Sequence, residues 1–174
     1  PVSSIGTPCR VMAGGAGTRL WPLSRESAPK PFMRLPDGGT LLGRTAARAP
    51  AIPGAGPLVT VTRDEHYFAT RDVYAGLPAA AQERSVFLLE PFGRNTAPAV
   101  AIGALWTATH VGEDVPMLVL AADHLIHDVD GFVAAVERAV RRGALGLLGA
   151  SEVSPRVRAL SIDGKSLFGN ERVT

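Results

Sequence analysis

The chain has 174 residues, enough for one domain with a real hydrophobic core, and 46% of them are apolar against 20% charged. This balance excludes a disordered chain, and a net charge of +2 is too small to indicate a nucleic-acid-binding protein. No apolar run approaches the roughly 20 residues of a membrane span, no secretory signal is visible, and the lone Cys9 allows no internal disulfide. We therefore expect a cytoplasmic protein without membrane or nucleic-acid partners.

Short apolar runs alternate with helical patterns along the chain. Strands are predicted at 9–14, 57–62, 85–90 and 117–123, and helices at 40–49, 63–77, 96–112 and 130–143. Thr40, Asp64 and Asp130 are the expected N-caps. Apolar strands that alternate with helices predict an α/β fold, a Rossmann-like, mostly parallel sheet with helices on both faces. In such sheets ligands bind outside the carboxyl ends of the strands.

The pattern changes after Gly143. Residues 144–174 contain no clear amphipathic helix and offer one weak strand at 156–162. We therefore divide the chain into an α/β part, residues 1–143, and an atypical, loosely ordered tail, residues 144–174.

The first predicted strand runs into three closely spaced glycines: Gly14, Gly15 and Gly17. Glycines can adopt positive φ and let phosphate oxygens approach backbone N–H groups closely. Arg19 adds a fixed fork of donors, and Lys30 follows between two prolines that stiffen its backbone. A tight turn and a solvated lysine remain the alternatives on local sequence alone.

The spacing after these glycines excludes the two commonest phosphate loops. A P-loop needs lysine and then serine or threonine after its second glycine, whereas Thr18 and Arg19 follow Gly17. Leu20 stands where a dinucleotide-binding loop needs glycine or alanine. An ATP- or NAD-binding domain of those classes is therefore not indicated.

Three segments together resemble one family. They are "GGAGTRLWPLSRESAPKPF" at 14–32, "LEPFGRNTAPAVAIGAL" at 89–105 and "LVLAADHLIHD" at 118–128. In this order they resemble the signatures of the sugar-nucleotide pyrophosphorylases, in the form typical of bacterial mannose-1-phosphate guanylyltransferases. The resemblance covers about Val11 to Val140 and implies a nucleotidyltransferase fold of the GT-A-like type.

The resemblance implies an enzyme that makes GDP-mannose and pyrophosphate from GTP and mannose 1-phosphate, by in-line attack on the α-phosphate with Mg²⁺. Arg19 and Lys30 would be catalytic, neutralising phosphate charge, and Asp123 would bind the metal rather than merely cap a turn. His124 would be a structural neighbour of Asp123, and His127 a surface residue. The nucleotide would be bound by Gly14, Gly15, Gly17, Thr18, Glu90, Gly93, Asn95 and Thr96.

The segments with which this family binds the sugar are not recognisable after Arg142. We therefore expect a fold that is incomplete on its C-terminal side, and self-association through an uncovered face of the sheet. On the same ground we expect low or no activity from this short chain alone. A non-catalytic GTP-binding remnant or regulatory module is the alternative hypothesis.

Overall fold

The structure is a computed structural model that describes residues 29–92 and 96–141, together with the backbone of 7–13 and 159–161. Five strands and five α-helices are assigned in these residues. In chain order they are β1 (Thr7–Ala13), α1 (Leu41–Arg48), β2 (Ala55–Arg63), α2 (Tyr67–Ala75), α3 (Ala79–Glu83), β3 (Ser85–Glu90), α4 (Thr96–His110), β4 (Met117–Ala121), α5 (Val129–Arg141) and β5 (Ala159–Ser161).

The five strands form one parallel sheet in the order β3-β2-β1-β4-β5. The chain therefore moves outward from β1 through β2 to β3 and then returns to the other side of β1. The short β5 lies inside the segment where a weak strand is predicted, and its Ala159 pairs with Met117. The predicted fold class, a parallel α/β sheet, is confirmed.

Helices cover both faces of this sheet. On one face Leu118 and Leu120 join a core with side chains of α1, α2 and α5, including Leu42 and Phe132. On the other face Met117 and Val119 pack against Val100 and Ala104 of α4. Alternate residues of β4 thus enter opposite cores, as the period of two in a strand requires.

The start of α1 is as predicted. The Thr40 side chain accepts a hydrogen bond from the backbone N–H of Gly43 at 3.0 Å, which satisfies one of the free donors of the first turn. No helix among the described residues has the length and apolar character needed to cross a membrane.

Two other predicted caps are wrong. A 3₁₀ turn occupies Asp64–His66, so α2 begins at Tyr67 with His66 before it and no cap from the Asp64 side chain. The α5 helix begins one residue before Asp130. Its cap is Asp128, whose carboxylate accepts from the Gly131 N–H at 2.8 Å, three residues on, where a capping side chain reaches.

Candidate nucleotide site

The strand order places a switch point between β1 and β4. The chain leaves β1 toward β2 on one side and comes back to β4 on the other, so the connections diverge there. In open α/β sheets the crevice outside the carboxyl ends at such a point is where ligands bind. Met12 pairs with Ala121, so the two strands end side by side.

Asp123 lies two residues beyond the end of β4, at this switch point. Lys30 reaches it from a different part of the chain, and its Nζ donates to Asp123 Oδ2 at 2.8 Å across 93 residues of sequence. Their side chains are 29% and 39% exposed, so both groups are partly shielded yet open to solvent. Two residues that sequence motifs singled out separately thus form one contact.

A 3₁₀ turn at Lys30–Phe32 fixes the backbone that carries this lysine. Pro31 is buried within it, Phe32 N–H donates to Pro29 C=O at 2.9 Å, and Met33 N–H donates to Lys30 C=O at 3.1 Å. A proline-stiffened, hydrogen-bonded turn restricts where the long lysine side chain can begin. The site therefore has a cation with a defined origin rather than one on a free loop.

The surroundings of Asp123 include one imidazole. His124 Nε2 lies 3.9 Å from Asp123 Oδ1, as predicted for a structural neighbour. His127 is exposed, again as predicted. Among the described residues no group of three or more His, Cys, Asp and Glu side chains is placed to hold a metal ion. Among the residues that the structure describes, Asp123 is therefore not part of an all-protein metal cage.

Glu90 occupies the corresponding end of β3, in register with Arg63 of β2. Its side chain is buried, at 6% exposure, and this burial raises the pKa of the carboxyl above its ordinary range. Its oxygens have no hydrogen-bond partner among the described residues. Thr96, the first residue of α4, is exposed. The sheet edge therefore carries a second carboxylate, in a drier setting than the first.

Three strand spacings separate β3 from β4 in the sheet. At about 4.8 Å per spacing, Glu90 and Asp123 are roughly 14 Å apart along the carboxyl edge. That span is on the scale of an extended nucleoside triphosphate. The arrangement can hold a base near the end of β3 and phosphates near the Lys30–Asp123 pair.

The remaining site predictions fall on residues that the structure does not describe. They are Gly14, Gly15, Gly17, Thr18, Arg19, Gly93 and Asn95. Their roles remain predictions.

Sequence reasoning missed two residues beside the site. Thr45 and Arg48 of α1 are both buried, at 0% and 4% exposure, and both contact the turn that carries Asp123. Thr45 lies on the buried face of α1, where an apolar pattern does not distinguish it from its core neighbours. Arginine is rarely buried, so nothing in the pattern singled out Arg48. The available signal was a threonine and an arginine three residues apart, which share a helix face.

Comparison with known proteins agrees with the motifs. Residues 10–158 match the family model described as nucleotidyl transferase. The chain is 42% identical over 145 residues to the xanthan biosynthesis protein XanB of Xanthomonas campestris, covering 83% of this chain and 30% of that protein. It is 43% identical over 139 residues to mannose-1-phosphate guanylyltransferase of Escherichia coli, covering 79% and 28%.

A solved structure agrees with the fold. The crystal structure of mannose-1-phosphate geranyltransferase from Thermus thermophilus superposes with a TM-score of 0.64 at 35% identity, over 80% of this chain and 39% of that one. The chain thus spans about 30% of the length of the curated relatives that it matches. The resemblance indicated by the three sequence motifs is confirmed: the chain belongs to the nucleotidyl transferase family.

Proposed function

We propose that this chain is the nucleotide-binding part of a mannose-1-phosphate guanylyltransferase. Family membership and relatives of that name at about 40% identity support the reaction class. The single observation that carries the proposal is the contact of Lys30 with Asp123 at the sheet's switch point. It joins the cation that we propose binds phosphate to the oxygen that we propose binds the metal, where a nucleotide is expected to lie.

The proposed reaction joins mannose 1-phosphate to GTP. A phosphate oxygen of the sugar phosphate attacks the α-phosphorus in line, the bond from that phosphorus to the bridging β-oxygen breaks, and pyrophosphate leaves with the electron pair. The attacking oxygen is already ionised near neutral pH, so the protein needs no general base. Catalysis then consists of positioning and of stabilising charge on the phosphates.

Lys30 is the described residue best suited to that charge. An ammonium group offers three donors and no acceptor. It can therefore exchange its contact with the Asp123 carboxylate for contacts with phosphate oxygens, without a change in protonation. In the proposed complex Lys30 contacts the phosphates of GTP, and Arg19 from the predicted glycine loop supplies a second cation. Both neutralise charge that moves toward the leaving pyrophosphate.

The donor set at Asp123 fits Mg²⁺. This ion takes oxygen ligands, keeps several waters, and is commonly bound by one or two carboxylates together with substrate phosphates. Asp123 is 39% exposed beside Lys30 and has no other metal-ligating group clustered with it among the described residues, which matches that pattern better than a soft-metal site. When bound, the ion would screen the negative charge of the phosphates. Asp123 would hold it through a carboxylate oxygen.

Glu90 is the residue that we propose recognises the base. The Watson–Crick edge of guanine carries two adjacent N–H donors, and an ionised carboxylate is an acceptor that can pair with both. Adenine presents a ring acceptor at the same place, which a carboxylate repels. Glu90 has no competing partner among the described residues and lies at the far end of the sheet edge from Lys30.

Calorimetry with GTP, ATP and UTP, each with and without Mg²⁺, tests this proposal. We expect GTP to bind most tightly and Mg²⁺ to tighten it. Glu90→Gln should reduce the preference for GTP over ATP, because an amide oxygen accepts less strongly and its NH₂ repels the guanine donors. Equal binding of the three nucleotides by the wild-type chain would refute the base assignment.

The second candidate is the alternative hypothesis of a GTP-binding unit without turnover of its own. The match covers 28% of the length of the Escherichia coli mannose-1-phosphate guanylyltransferase. Holding both reactants in line can be worth roughly 7–11 kcal/mol, and none of the residues that the structure describes is assigned to the sugar. A pyrophosphate-release assay on the 174-residue chain with GTP and mannose 1-phosphate separates the two. Turnover in the ordinary range of about 1–10³ s⁻¹ would exclude the second candidate.

A further inference from the structure

The turn that carries Asp123 is anchored by the helix α1 as well as by its own backbone. His124 N–H approaches Ala121 C=O at 3.5 Å, which closes a four-residue turn with Asp123 third in it. The Thr45 hydroxyl lies 3.4 Å from Ala121 C=O and 3.3 Å from His124 C=O. One hydroxyl therefore faces both ends of the turn.

Arg48 contacts the same carbonyl from one helical turn further along. Its Nη2 donates to His124 C=O at 3.3 Å and to Thr45 Oγ1 at 3.0 Å. Its guanidinium carbon lies 5.7 Å from the centre of the Phe132 ring. Burial lowers the pKa of Arg48 to about 10, so the group stays charged at neutral pH. A buried positive charge thus faces the carbonyl that follows Asp123.

Burial of the Arg48 side chain is unfavourable for the free energy of folding. Its Nε and Nη1 are buried and have no hydrogen-bond partner among the described residues, and no carboxylate there pairs with it. Unpaired buried donors destabilise the folded state, and an apolar side chain of similar length would avoid that cost. Arg48 therefore contributes through the two groups that accept hydrogen bonds from its Nη2, the His124 carbonyl and the Thr45 hydroxyl, and not through net stability.

We infer that Thr45 and Arg48 are positioning residues that fix the Asp123 turn, so that its carboxylate is presented to the metal and to Lys30. This inference rests on the proposed function, in which Asp123 binds Mg²⁺. The two residues touch neither nucleotide nor metal. They act through the carbonyl groups of Ala121 and His124, much as outer-shell partners orient metal ligands elsewhere.

Two matched pairs of variants test the inference. Arg48→Met removes the donors and keeps an unbranched apolar side chain, whereas Arg48→Lys keeps one donor nitrogen, which is all that the wild-type residue uses on the turn. Thr45→Val removes the hydroxyl at constant shape, whereas Thr45→Ser retains it. Arg141→Met, which loses an exposed ion pair at the end of α5, is the control for loss of an arginine.

The first measurement is hydrogen exchange in the chain without ligands. Arg48→Met and Thr45→Val should speed exchange of the amides of residues 122–125 by about five- to tenfold, with β4 unchanged. The second is the ratio of GTP affinities with and without Mg²⁺. It should fall by roughly tenfold or more in these two variants and stay near the wild-type value in Arg48→Lys and Thr45→Ser. The melting temperature of Arg48→Met should be unchanged or higher.

The outcomes separate the two ideas. A wild-type chain whose GTP affinity ignores Mg²⁺ would overturn the proposed function, and the exchange rates would still show whether the turn is anchored as inferred. Wild-type exchange at residues 122–125 in a folded Arg48→Met variant would overturn the inference. Equal acceleration throughout the chain would overturn it too, because that is general destabilisation. If Arg48→Met does not fold, Thr45→Val against Thr45→Ser decides by the same two measurements.

Discussion

Replacing Lys30 with methionine should separate binding from stability. The Lys30–Asp123 ion pair is partly exposed on both sides, and exposed pairs contribute about 0–1 kcal/mol after solvent screening and side-chain entropy. The 3₁₀ turn that carries Lys30 uses backbone hydrogen bonds, which the substitution leaves intact. We therefore expect the free energy of unfolding of Lys30→Met to differ from wild type by less than about 1 kcal/mol.

The effect on GTP should be much larger. A hydrogen bond to a charged group is worth roughly 1.5–3 kcal/mol when only one partner is removed, and each 1.4 kcal/mol corresponds to about tenfold in affinity. Lys30→Met should therefore weaken GTP binding by roughly 10- to 150-fold, measured by calorimetry with Mg²⁺ present. This loss of GTP affinity should be much larger than any change in the free energy of unfolding.

Without nucleotide, the affinity of Lys30→Met for the metal ion should change in the opposite direction. Lys30 Nζ lies 2.8 Å from Asp123 Oδ2, where even the screening of bulk water leaves about 1.5 kcal/mol of attraction that an incoming cation must replace. Without nucleotide, Lys30→Met should therefore bind Mn²⁺, a paramagnetic stand-in for Mg²⁺, up to about tenfold more tightly. Electron paramagnetic resonance titration measures this directly.

The opposed signs make the test specific. General damage would weaken both ligands, whereas removal of a cation that contacts phosphates and competes with a metal weakens one and strengthens the other. Arg141→Met also removes an exposed ion pair and should change neither affinity. Unchanged GTP affinity in folded Lys30→Met would remove this lysine from the site. Weaker Mn²⁺ binding would show that Asp123 does not bind the metal where Lys30 now sits.

Three further predictions concern the carboxylate, the core and the surface. Glu90 has a pKa raised by burial from its ordinary value of 4.5, so wild type should lose stability as pH rises through the window above 4.5, and Glu90→Gln should flatten urea-unfolding free energies across it. Tyr74→Phe deletes a buried 2.5 Å hydrogen bond to Thr60 and should cost about 1–2 kcal/mol in urea unfolding; no loss would mean that Thr60 finds another partner. Leu105 is 57% exposed on α4, so Leu105→Glu should reduce self-association in light scattering; a monomeric wild type would contradict this.

The sequence predicts the parallel pairing of the strands better than it predicts which side chains lie on which face of the sheet. Alternating strands and helices are enough to indicate parallel pairing, because each crossover returns the chain to the same edge. The run Met117–Ala121 is apolar at every position, so its pattern cannot show which residues enter which core. Met117 and Leu118 lie in different cores because helices cover both sides, which only the packed structure reveals.

Helix ends are harder to predict than helices, for a local reason. Asp64 and Asp130 are good capping residues by type, but Asp64 begins a 3₁₀ turn and Asp130 lies inside α5, so neither side chain caps its helix. Asp128 takes the role at α5 because it stands three residues before Gly131, the spacing that a cap needs. Thr40 has the same spacing to Gly43, and there the prediction is confirmed.

Two features of the site, one contact and one buried side chain, could not be predicted from the sequence. Motifs singled out Lys30 and Asp123 independently, but their 2.8 Å contact depends on β4 pairing with β1, which no local pattern encodes. Arg48 is the sharper case. Arginine is usually exposed, and burying this one lowers the stability of the fold because two of its nitrogens are buried without described partners. A residue that costs stability and holds the backbone beside a proposed metal ligand is the kind of local inconsistency expected at a functional site. It becomes visible only when α1 and the end of β4 are seen together.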